Sequence, residues 1–302
     1  MKKVNVKSKA RVIPKALAKS KSSKSTKMVM IVHRDDTPEA LKLGQDFNRY
    51  LSNKKIDSKV LSYTELLEKK FDPKVDLVVV LGGDGTYLST VGHIKPLDIP
   101  ILGINMGSLG FLTETKVNEA YDSLDLALNK KLESRPRMLL DINVRHADSK
   151  TYCDTALNDI VIERGSRSQL VRLQIYSGDF LVQDLKADGL IISTPTGSTA
   201  YNLAAGGPIL HPEVQGFVVT PVAPHNLTSR PIVFPDHLDL KIRLSAGNQT
   251  AQLTIDGRKA LEITDQDLIS IKKSKHIHHV LRKKGHNYFD LLREKLKFGE
   301  RS

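Results

Sequence analysis

The first half of the chain alternates short apolar runs with stretches of helical periodicity. Three apolar runs, "MVMIVH", "DLVVVLG" and "IPILGIN", are each long enough for a buried strand, and the last two end in glycine-bearing loops. The segments "TPEALKLGQDFNRYLSNKK" and "KVNEAYDSLDLALNKK" instead carry apolar residues at helical spacing. Their predicted buried faces are Leu41, Phe47 and Leu51 in the first segment and Ala120, Leu124 and Leu128 in the second. Continuous apolar strands that alternate with amphipathic helices predict a parallel sheet covered by helices.

Beyond residue 137 the apolar period changes from that of a helix to that of a strand. In "RMLLDINVRH" and "HLDLKIRLSA" every second residue is apolar, and "LVRLQIYSGDFLVQ" reads as a hairpin that turns at Ser177-Gly178-Asp179. The final "NYFDLLREKLKFG" is helical again, with Phe289, Leu292 and Leu296 on one predicted face. The predicted fold class is therefore an N-terminal Rossmann-like parallel α/β domain, an all-β sandwich domain, and a C-terminal helix that returns to the first domain.

The predicted domains follow from these changes in pattern. Residues 1–27 form a basic tail that is predicted to be disordered, because it is rich in Lys and Ser and has little to bury. Residues 28–137 together with 285–302 are predicted to form the α/β domain. Residues 138–284 are predicted to form the β-sandwich.

The net charge of +12 belongs almost entirely to the tail. Residues 1–27 contain ten Lys or Arg and no Asp or Glu, whereas the remaining residues carry 36 basic and 34 acidic side chains. Nucleic acid is therefore not a predicted partner beyond non-specific contacts of the tail. There is no apolar run that could span a bilayer, and a single cysteine, Cys153, excludes an internal disulfide. These features predict a cytoplasmic protein without a membrane partner.

Two glycine-bearing loops follow adjacent predicted strands. The first is Gly82-Gly83-Asp84-Gly85-Thr86, and the second, "GINMGSLGF", contains Gly107 and Gly110. The carboxyl ends of neighbouring parallel strands border one crevice, where backbone N–H groups and a helix N-terminus can bind phosphate. Neither a Walker phosphate loop nor the dinucleotide fingerprint is present. Asp84 is either a helix N-cap in a loop of turn-forming glycines, or a proton acceptor in phosphoryl transfer to a hydroxyl.

A second group of polar residues lies in the predicted β-domain. In "ADGLIISTPTGSTAYNLAAGGPILHP" an apolar strand lies between Asp188-Gly189 and a loop rich in Ser, Thr and Gly, with Tyr201 as a stacking surface. Upstream, "ALNDIVIERG" places Asn158-Asp159 at the start of a strand, where an amide and a carboxylate suit ribose hydroxyls or base edges. The alternative is an elaborate turn that caps a helix.

These motifs resemble those of the NAD kinases. The resemblance covers most of residues 28–302 and rests on "GGDGT", "NMGSLGFLTE", "LNDIVIERG", "DGLIISTPTGSTAYNLAAGGPI", "PHNLTSRPIVF" and "YFDLLREKLKFG". It implies transfer of a phosphoryl group from ATP, or from polyphosphate, to the 2′-hydroxyl of the adenosine ribose of NAD, which gives NADP. It also implies Mg²⁺ held through the donor phosphates rather than by protein side chains, and a homodimer or homotetramer with sites near the subunit contacts.

The same resemblance assigns roles to individual residues. Asp84 matches the family's proton acceptor. The residues implied to bind substrate or nucleotide are Gly83, Gly85, Thr86, Phe111, Asn158, Asp159, Gln169, Lys186, Asp188, Thr199, Ala200, Tyr201, Asn202, Leu203, Ala204 and Arg258. Two positions depart from the family pattern, since Asp159 stands where Glu is usual and Arg258 where Gln is common. Arg258 either places a cation near a phosphate or simply follows an ordinary Asp-Gly hairpin turn.

Three other interpretations remain open at this point. The chain could be a lipid or sugar kinase of the same superfamily, a nucleotide-binding regulator without catalysis, or an RNA-binding protein that acts through its tail. The hydroxyl-rich loop favours a dinucleotide over a lipid, and the presence of Asp84 favours catalysis. His276, His278 and His279 alternate along a strand with no acidic partner nearby, which favours a solvated edge strand over a metal site.

Overall fold

The computed structural model describes residues 26–297 except for 69–71, 73, 95–97, 166–168, 246, 248 and 286. The predicted disordered tail therefore lies outside the described residues, apart from its last two. The strands are β1 Met28–His33, β2 Asp57–Ser62, β3 Leu77–Gly82, β4 Ile101–Asn105, β5 Thr115–Lys116, β6 Glu133–Arg145, β7 Thr151–Ala156, β8 Asp159–Arg164, β9 Val171–Ser177, β10 Phe180–Ala187, β11 Gly189–Ser193, β12 Gly216–Val222, β13 Ile232–Pro235, β14 Leu240–Leu244, β15 Thr250–Ile255, β16 Arg258–Thr264 and β17 Leu268–Arg282. The helices are α1 Pro38–Asn53, α2 Tyr63–Glu68, α3 Asp84–His93, α4 Ala120–Leu128, α5 Tyr201–Ala204 and α6 Tyr288–Leu296.

The first half of the chain forms the parallel sheet that the sequence predicts, in the order β2-β1-β3-β4. Every residue of β3 is buried, because helices cover both faces of the sheet. Helix α1 packs on the sheet through Ala40, Gly44, Phe47 and Leu51. The prediction that Leu41 belongs to this face is wrong, since Leu41 is 40% exposed. The buried face is centred on the small residues Ala40 and Gly44, which let the helix approach the sheet closely.

The second half folds as two facing antiparallel layers. One is a six-stranded sheet in the order β13-β12-β11-β8-β15-β16. The other contains β10, β9, β14, β17, β6 and β7, and belongs to the same continuous sheet as the parallel strands. Apolar side chains from both layers form one core, in which the rings of Phe217 and Phe234 stack with centroids 5.5 Å apart. The predicted fold class, α/β followed by an all-β sandwich, is confirmed.

Strands β6 and β17 join the two halves. They pair antiparallel along nearly their whole length, with a register shift between Lys273 and Ile277 of β17. The first part of β17 also pairs with β14 in the sandwich, whereas Val280 near its end pairs with Ile101 of β4 in the parallel sheet. Both strands run through both halves of the structure. The domain boundaries near residues 137 and 284 therefore stay a prediction from the sequence.

The prediction of a solvated edge strand at the three histidines is wrong. Strand β17 is an interior strand with neighbours on both sides, and His278 is completely buried. The Nε2 atom of His278 lies 2.8 Å from the hydroxyl oxygen of Tyr87 on α3, which is itself fully buried. Alternation along a strand indicates which side chains share a face, but it does not reveal whether a second layer covers that face.

The C-terminal helix α6 returns to the first domain, as predicted. Asn287 caps it by accepting a hydrogen bond from the Phe289 backbone N–H, and Lys295 donates to the Leu109 carbonyl oxygen at 2.6 Å. The buried residues are Leu291 and Leu292, whereas Phe289 is 56% exposed and so does not belong to the buried face. In the described part of the chain, no helix combines the length and apolar character needed to cross a membrane.

Candidate active site

Asp84 joins the two glycine-bearing loops. It is the first residue of α3, and Gly83 is the cap residue, so Asp84 is not the N-cap that the alternative interpretation required. Its Oδ2 atom accepts a hydrogen bond from the Phe111 N–H at 2.7 Å. Its Oδ1 atom accepts from the N–H groups of Leu112 and Thr113 and from the Thr113 hydroxyl, at 3.0–3.1 Å. These four donors fix the orientation of the carboxylate at the carboxyl edge of the parallel sheet.

A buried ion pair supports the second loop from behind. The guanidinium of Arg282, at the end of β17, donates to the Phe111 carbonyl oxygen at 2.8 Å and lies 2.8 Å from a carboxylate oxygen of Glu114. Both side chains are only 7% exposed. Burial of two charges is costly unless their remaining polar atoms are bonded, and the Phe111 carbonyl supplies one such bond. The sequence shows no signal for this pair, because 168 residues separate its members.

Asn158 and Asp159 are held by their backbones from two sides. The buried carboxylate of Asp256 accepts hydrogen bonds from the N–H groups of Leu157, Asn158 and Asp159, at 2.7–3.1 Å. On the other side, Thr194 donates its N–H to the Asn158 carbonyl oxygen at 2.8 Å and its hydroxyl to the Leu157 carbonyl oxygen at 2.6 Å. The Oδ1 atom of Asn158 is buried without a hydrogen-bond partner among the described residues. Its capacity to accept a hydrogen bond is therefore unused within the described residues.

The two neighbouring carboxyl groups are electrostatically coupled. Burial, followed by the charge of Asp256, raises the pKa of Asp159 to about 7. Burial also raises the pKa of Asp256 to about 6, although its three backbone donors and the charge of Arg258 act to lower it. The proton affinity of Asp159 thus depends on a neighbour that lies 97 residues away in the sequence.

The loop rich in Ser and Thr is largely built into the protein. Gly197 lies directly against Asn158, and a Cβ atom there would overlap the Asn158 carbonyl oxygen. Asn202, predicted to bind nucleotide, is completely buried. Its amide donates to the carbonyl oxygens of Ser198 and Pro208 and accepts a hydrogen bond from the Thr220 hydroxyl. Its side chain therefore shapes this loop rather than facing a ligand.

A cleft of about 530 Å³ lies where these loops meet. It is lined by Gly85, Leu88, Ser89, Asn158, Asp159, Val161, Glu163, Ala200, Tyr201, Thr254, Asp256, Gly257 and Arg258. Six of the predicted site residues are among them, namely Gly85, Asn158, Asp159, Ala200, Tyr201 and Arg258. A larger groove of about 790 Å³ lies on β6, β7, β14 and β17, but it contains none of the predicted site residues. We therefore assign the candidate site to the smaller cleft.

The other predicted residues surround the cleft or lie apart from its lining. Gly83 and Thr86 flank Asp84, and Thr199, Leu203 and Ala204 flank Ala200 and Tyr201. The ring of Phe111 lies beside that of Tyr288, with centroids 6.4 Å apart. Asp188 forms an ion pair with Arg164 at 3.3 Å. Gln169 and Lys186 are exposed and do not line this cleft.

Arg258 follows a true hairpin turn and also reaches the cleft. Asp256 and Gly257 have φ angles of 50° and 73°, as a tight two-residue turn requires. The Arg258 guanidinium lies against Gly92 of α3, and its Nη2 atom is 3.6 Å from a carboxylate oxygen of Asp154. Its Nε and Nη2 atoms are buried without a hydrogen-bond partner among the described residues. The turn and the cation thus occur together, and neither interpretation of "IDGR" excludes the other.

The described residues include no group of three or more His, Cys, Asp or Glu side chains arranged to hold a metal ion. Gly85 in the first turn of α3 and the Asn158 amide, whose Oδ1 has no partner among the described residues, line the cleft. The oriented carboxylate of Asp84 belongs to the residue just before Gly85 and lies beside the lining rather than in it. Such a combination at the carboxyl edge of a parallel sheet is typical of proteins that bind a phosphate-bearing nucleotide.

Comparison with known proteins defines the family. The model of the ATP-NAD kinase N-terminal domain matches residues 43–132, and the model of the ATP-NAD kinase C-terminal domain matches residues 157–283. An NAD kinase of Bdellovibrio bacteriovorus is 45% identical over 296 residues, which covers 93% of this chain and 98% of the relative. An NAD kinase of Citrifermentans bemidjiense is 37% identical over 287 residues, covering 91% and 100%. The chain belongs to the NAD kinase family. The prediction that it is an ATP-binding enzyme of this family is confirmed.

Solved structures agree with this assignment. The yeast NADH kinase complexed with NADH has a TM-score of 0.83 at 25% identity and covers 93% of this chain and 90% of its own. An NAD kinase from Archaeoglobus fulgidus in complex with ATP has a TM-score of 0.70 at 23% identity, covering 88% and 99%, and supports the fold alone.

The contact between Gly110 and Asp84 generates a prediction about the glycine-bearing loop. A Cβ atom on Gly110 would overlap Oδ1 of Asp84, whereas nothing lies within 4 Å of the corresponding position on Gly107. Gly110→Ala should therefore lower the free energy of unfolding by about 1–3 kcal/mol, the usual cost of overpacking. Gly107→Ala, in the same loop, should change it by less than about 0.5 kcal/mol. Chemical denaturation of both variants measures this difference, and equal values for the two would contradict the proposed contact.

Proposed function

We propose that the protein transfers the terminal phosphoryl group of ATP to the 2′-hydroxyl of the adenosine ribose of NAD, with Asp84 as the proton acceptor. The observation that carries this proposal is the fixed Asp84 carboxylate, which lies one residue before Gly85 at the edge of a cleft lined by Asn158 and Asp159. Family membership supports the choice of NAD over a lipid or sugar as acceptor. Polyphosphate remains an alternative donor, and cytoplasmic location stays a prediction.

The hydrogen bonds of Asp84 suggest which of its oxygens acts. Oδ1 accepts three hydrogen bonds and Oδ2 accepts one, so Oδ2 retains the greater capacity to accept another. We infer that Oδ2 receives the proton of the attacking hydroxyl. The phosphates of the donor would lie against the backbone N–H groups of the glycine-bearing loops and the N-terminus of α3.

A divalent cation, with Mg²⁺ expected, would neutralise charge that develops on the transferred phosphoryl group. Because the described residues offer no acidic cluster of their own for a metal, we propose that the cation arrives bound to the donor phosphates. The protein would then contribute backbone dipoles and the orientation of Asp84. In this division of roles, Asp84 accepts the proton and is not needed as a ligand of the cation.

NAD, the acceptor, would be held by the wall of the cleft that contains Asn158, Asp159 and Tyr201. Oδ1 of Asn158 is the buried acceptor atom suited to a ribose hydroxyl or an adenine amino group. Tyr201 is 42% exposed and offers a ring for stacking. Arg258 lines the same wall, and its Nε and Nη2 atoms have no hydrogen-bond partner among the described residues, although Nη2 lies 3.6 Å from Asp154. In this proposal its guanidinium faces a phosphate of the substrate. Asp159 is shorter than the usual Glu by one methylene, and a bridging water can compensate for that reach.

We propose that the active form is a homodimer or homotetramer. Gln169, Lys186 and Asp188 do not line the cleft of their own chain, which is consistent with a role in the cleft of a neighbouring copy. The edge strands of the two sandwich layers and the loop that precedes β13 also carry exposed apolar side chains. These are Phe180, Leu181, Leu227, Ile232 and Val233.

The proposed activity predicts a simple outcome for the unmodified protein. With NAD, ATP and Mg²⁺, NADP should form, and an NADP-specific dehydrogenase can measure it. EDTA should abolish the reaction and excess Mg²⁺ should restore it. Parallel assays with polyphosphate or NADH define the donor and acceptor ranges. If no NADP forms with any donor, the proposed function is wrong.

Asp84→Asn removes the proton acceptor while keeping the size of the side chain. We expect kcat to fall by about 10²- to 10⁴-fold, the range for loss of a general base. We also expect the free energy of unfolding to fall by about 1–3 kcal/mol, because an amide NH₂ would face donors that now bind a carboxylate oxygen. The control is Asp122→Asn, which changes an exposed carboxylate in the first turn of α4. Single-turnover assays below the melting temperature measure the rate of NAD phosphorylation by each variant. A folded Asp84→Asn protein with nearly full activity would exclude Asp84 from the reaction.

The proposed assembly predicts the mass in solution. Light scattering should give two or four chains for the unmodified protein. Leu227→Glu, at a side chain that is 87% exposed, should shift the mass towards one chain, because a charge would be buried in the interface. Leu67→Glu changes an apolar residue of α2 that is 44% exposed and should leave the mass unchanged. A monomeric protein that forms NADP at the same concentration would refute the assembly.

A further inference from the structure

Asp256 occupies a turn position but does not behave as a turn residue. Asp-Gly pairs in two-residue hairpin turns normally point into solvent, since both residues need only a positive φ. Asp256 has this φ, at 50°, yet it is only 5% exposed. Its carboxylate is directed away from solvent towards the turn between β7 and β8. The side chain is therefore used for something other than forming the hairpin.

The carboxylate accepts hydrogen bonds from three backbone N–H groups that have no acceptor on a neighbouring strand. Oδ2 accepts the N–H of Leu157, and Oδ1 accepts the N–H groups of Asn158 and Asp159. In return, the Asp256 N–H donates to the Asp159 carbonyl oxygen at 2.9 Å. Three consecutive N–H groups that converge on one carboxylate form a concave anion site. Without Asp256, these buried donors would be unsatisfied or would rotate towards water.

The fixed backbone determines where the Asn158 side chain lies. The Asn158 N–H is held by Asp256 and its carbonyl oxygen is held by Thr194, so its peptide planes cannot rotate freely. Gly197 packs against the same carbonyl oxygen and prevents a shift in that direction. As a result, the amide side chain lies along the cleft with its Oδ1 atom buried and unpartnered within the described residues.

The charge of Asp256 also acts on Asp159. The titratable and charged groups around Asp159 in this cleft are Glu163 of the same strand, Tyr201 of α5, Arg258 of β16 and Asp256 itself. Of these, Asp256 is the one whose charge raises the pKa of Asp159, in addition to the effect of burial. Removal of that charge should therefore lower the pKa of Asp159, because the carboxylate would no longer face a like charge.

We propose that Asp256 is a positioning residue for the NAD acceptor, which holds Asn158 and Asp159 in their binding geometry and controls the charge of Asp159. The proposal rests on the proposed function, in which this wall of the cleft binds NAD. Asp256 would contact the substrate only through these two residues. Loss of Asp256 should thus impair acceptor binding and leave the donor site and the chemistry of Asp84 intact.

The experiment compares Asp256→Asn and Asp256→Gly with two reference variants. Both substitutions tolerate positive φ, so the hairpin turn can form. Asn158→Ala removes the amide itself and so shows how much the KM for NAD rises when that group is lost completely. Asp267→Asn is the matched structural control, because Asp267 is 4% exposed and its carboxylate accepts the Thr264 backbone N–H at 2.7 Å, outside the lining of the cleft. Each protein is assayed for NADP formation well below its melting temperature.

We expect both Asp256 variants to raise the KM for NAD by about tenfold or more, approaching the value for Asn158→Ala. The KM for ATP and kcat should change by less than about threefold. In the plot of log KM for NAD against pH, the inflection due to Asp159 should move to lower pH in Asp256→Asn. Asp267→Asn should lower the melting temperature without either effect.

Two results would overturn the proposal. One is a folded Asp256→Asn protein with an unchanged KM for NAD and an unchanged pH profile. The other is a uniform change in kcat and both KM values together with a loss of melting temperature like that of Asp267→Asn, since that pattern indicates a purely structural role. If Asp256→Gly does not fold, Asp256→Asn alone decides, because it retains one acceptor oxygen. If the unmodified protein forms no NADP, the proposed function fails instead, so the two failures are distinguishable.

Discussion

The pairing of β6 with β17 is the constraint on which both halves of the structure depend. Through this pairing, one strand belongs to the sandwich at its start and to the parallel sheet at its end. The end of β17 carries Arg282 to the Phe111 carbonyl and His278 to Tyr87 of α3. The loop that binds Asp84 is thus held by a strand from the other half of the chain. A shift in the register of β17 would move the sandwich wall and the Asp84 loop together.

The site uses one physical device twice. Asp84 gathers the N–H groups of residues 111–113, and Asp256 gathers those of residues 157–159. In each case a carboxylate at the end of a strand satisfies three consecutive donors of a distant loop. Hydrogen bonds to a charged group contribute about 1.5–3 kcal/mol each, enough to offset part of the cost of burying the charge. Two turns beside the cleft are therefore fixed by carboxylates, in addition to the helices and strands that supply most of its lining.

The sequence could predict the parts of this structure that depend on local pattern. Apolar runs and their period predict the parallel strands, and the change of period predicts that a sandwich follows them, which the fold confirms. The boundary near residue 137 and the site residues stay predictions, although Gly85, Asn158, Asp159, Ala200, Tyr201 and Arg258 do line one cleft. The role of Asp256 could not be predicted, because an Asp-Gly pair between two apolar stretches is also the signal of an exposed hairpin turn. The Arg282–Glu114 pair and the burial of His278 arise from packing between distant segments, which no local period encodes. Helical spacing places Leu41 and Phe289 on buried faces, whereas the structure exposes both, because spacing alone cannot distinguish between two helix faces that are offset by one residue.

Asp84, Asp159 and Asp256 are three of the carboxylates near a site that is proposed to bind phosphates, and their surroundings explain how they can coexist. The charge of Asp84 is balanced by four donors, and that of Asp256 by three backbone donors and by Arg258. Asp159 differs, because burial and a like charge act on it without a compensating hydrogen bond to its carboxylate from the described residues. Its charged form is therefore the least stabilised by the protein and gains the most from a donor on a ligand. The described residues thus supply hydrogen-bond donors to the two carboxylates that hold loops and none to Asp159, the carboxylate that is proposed to bind the acceptor.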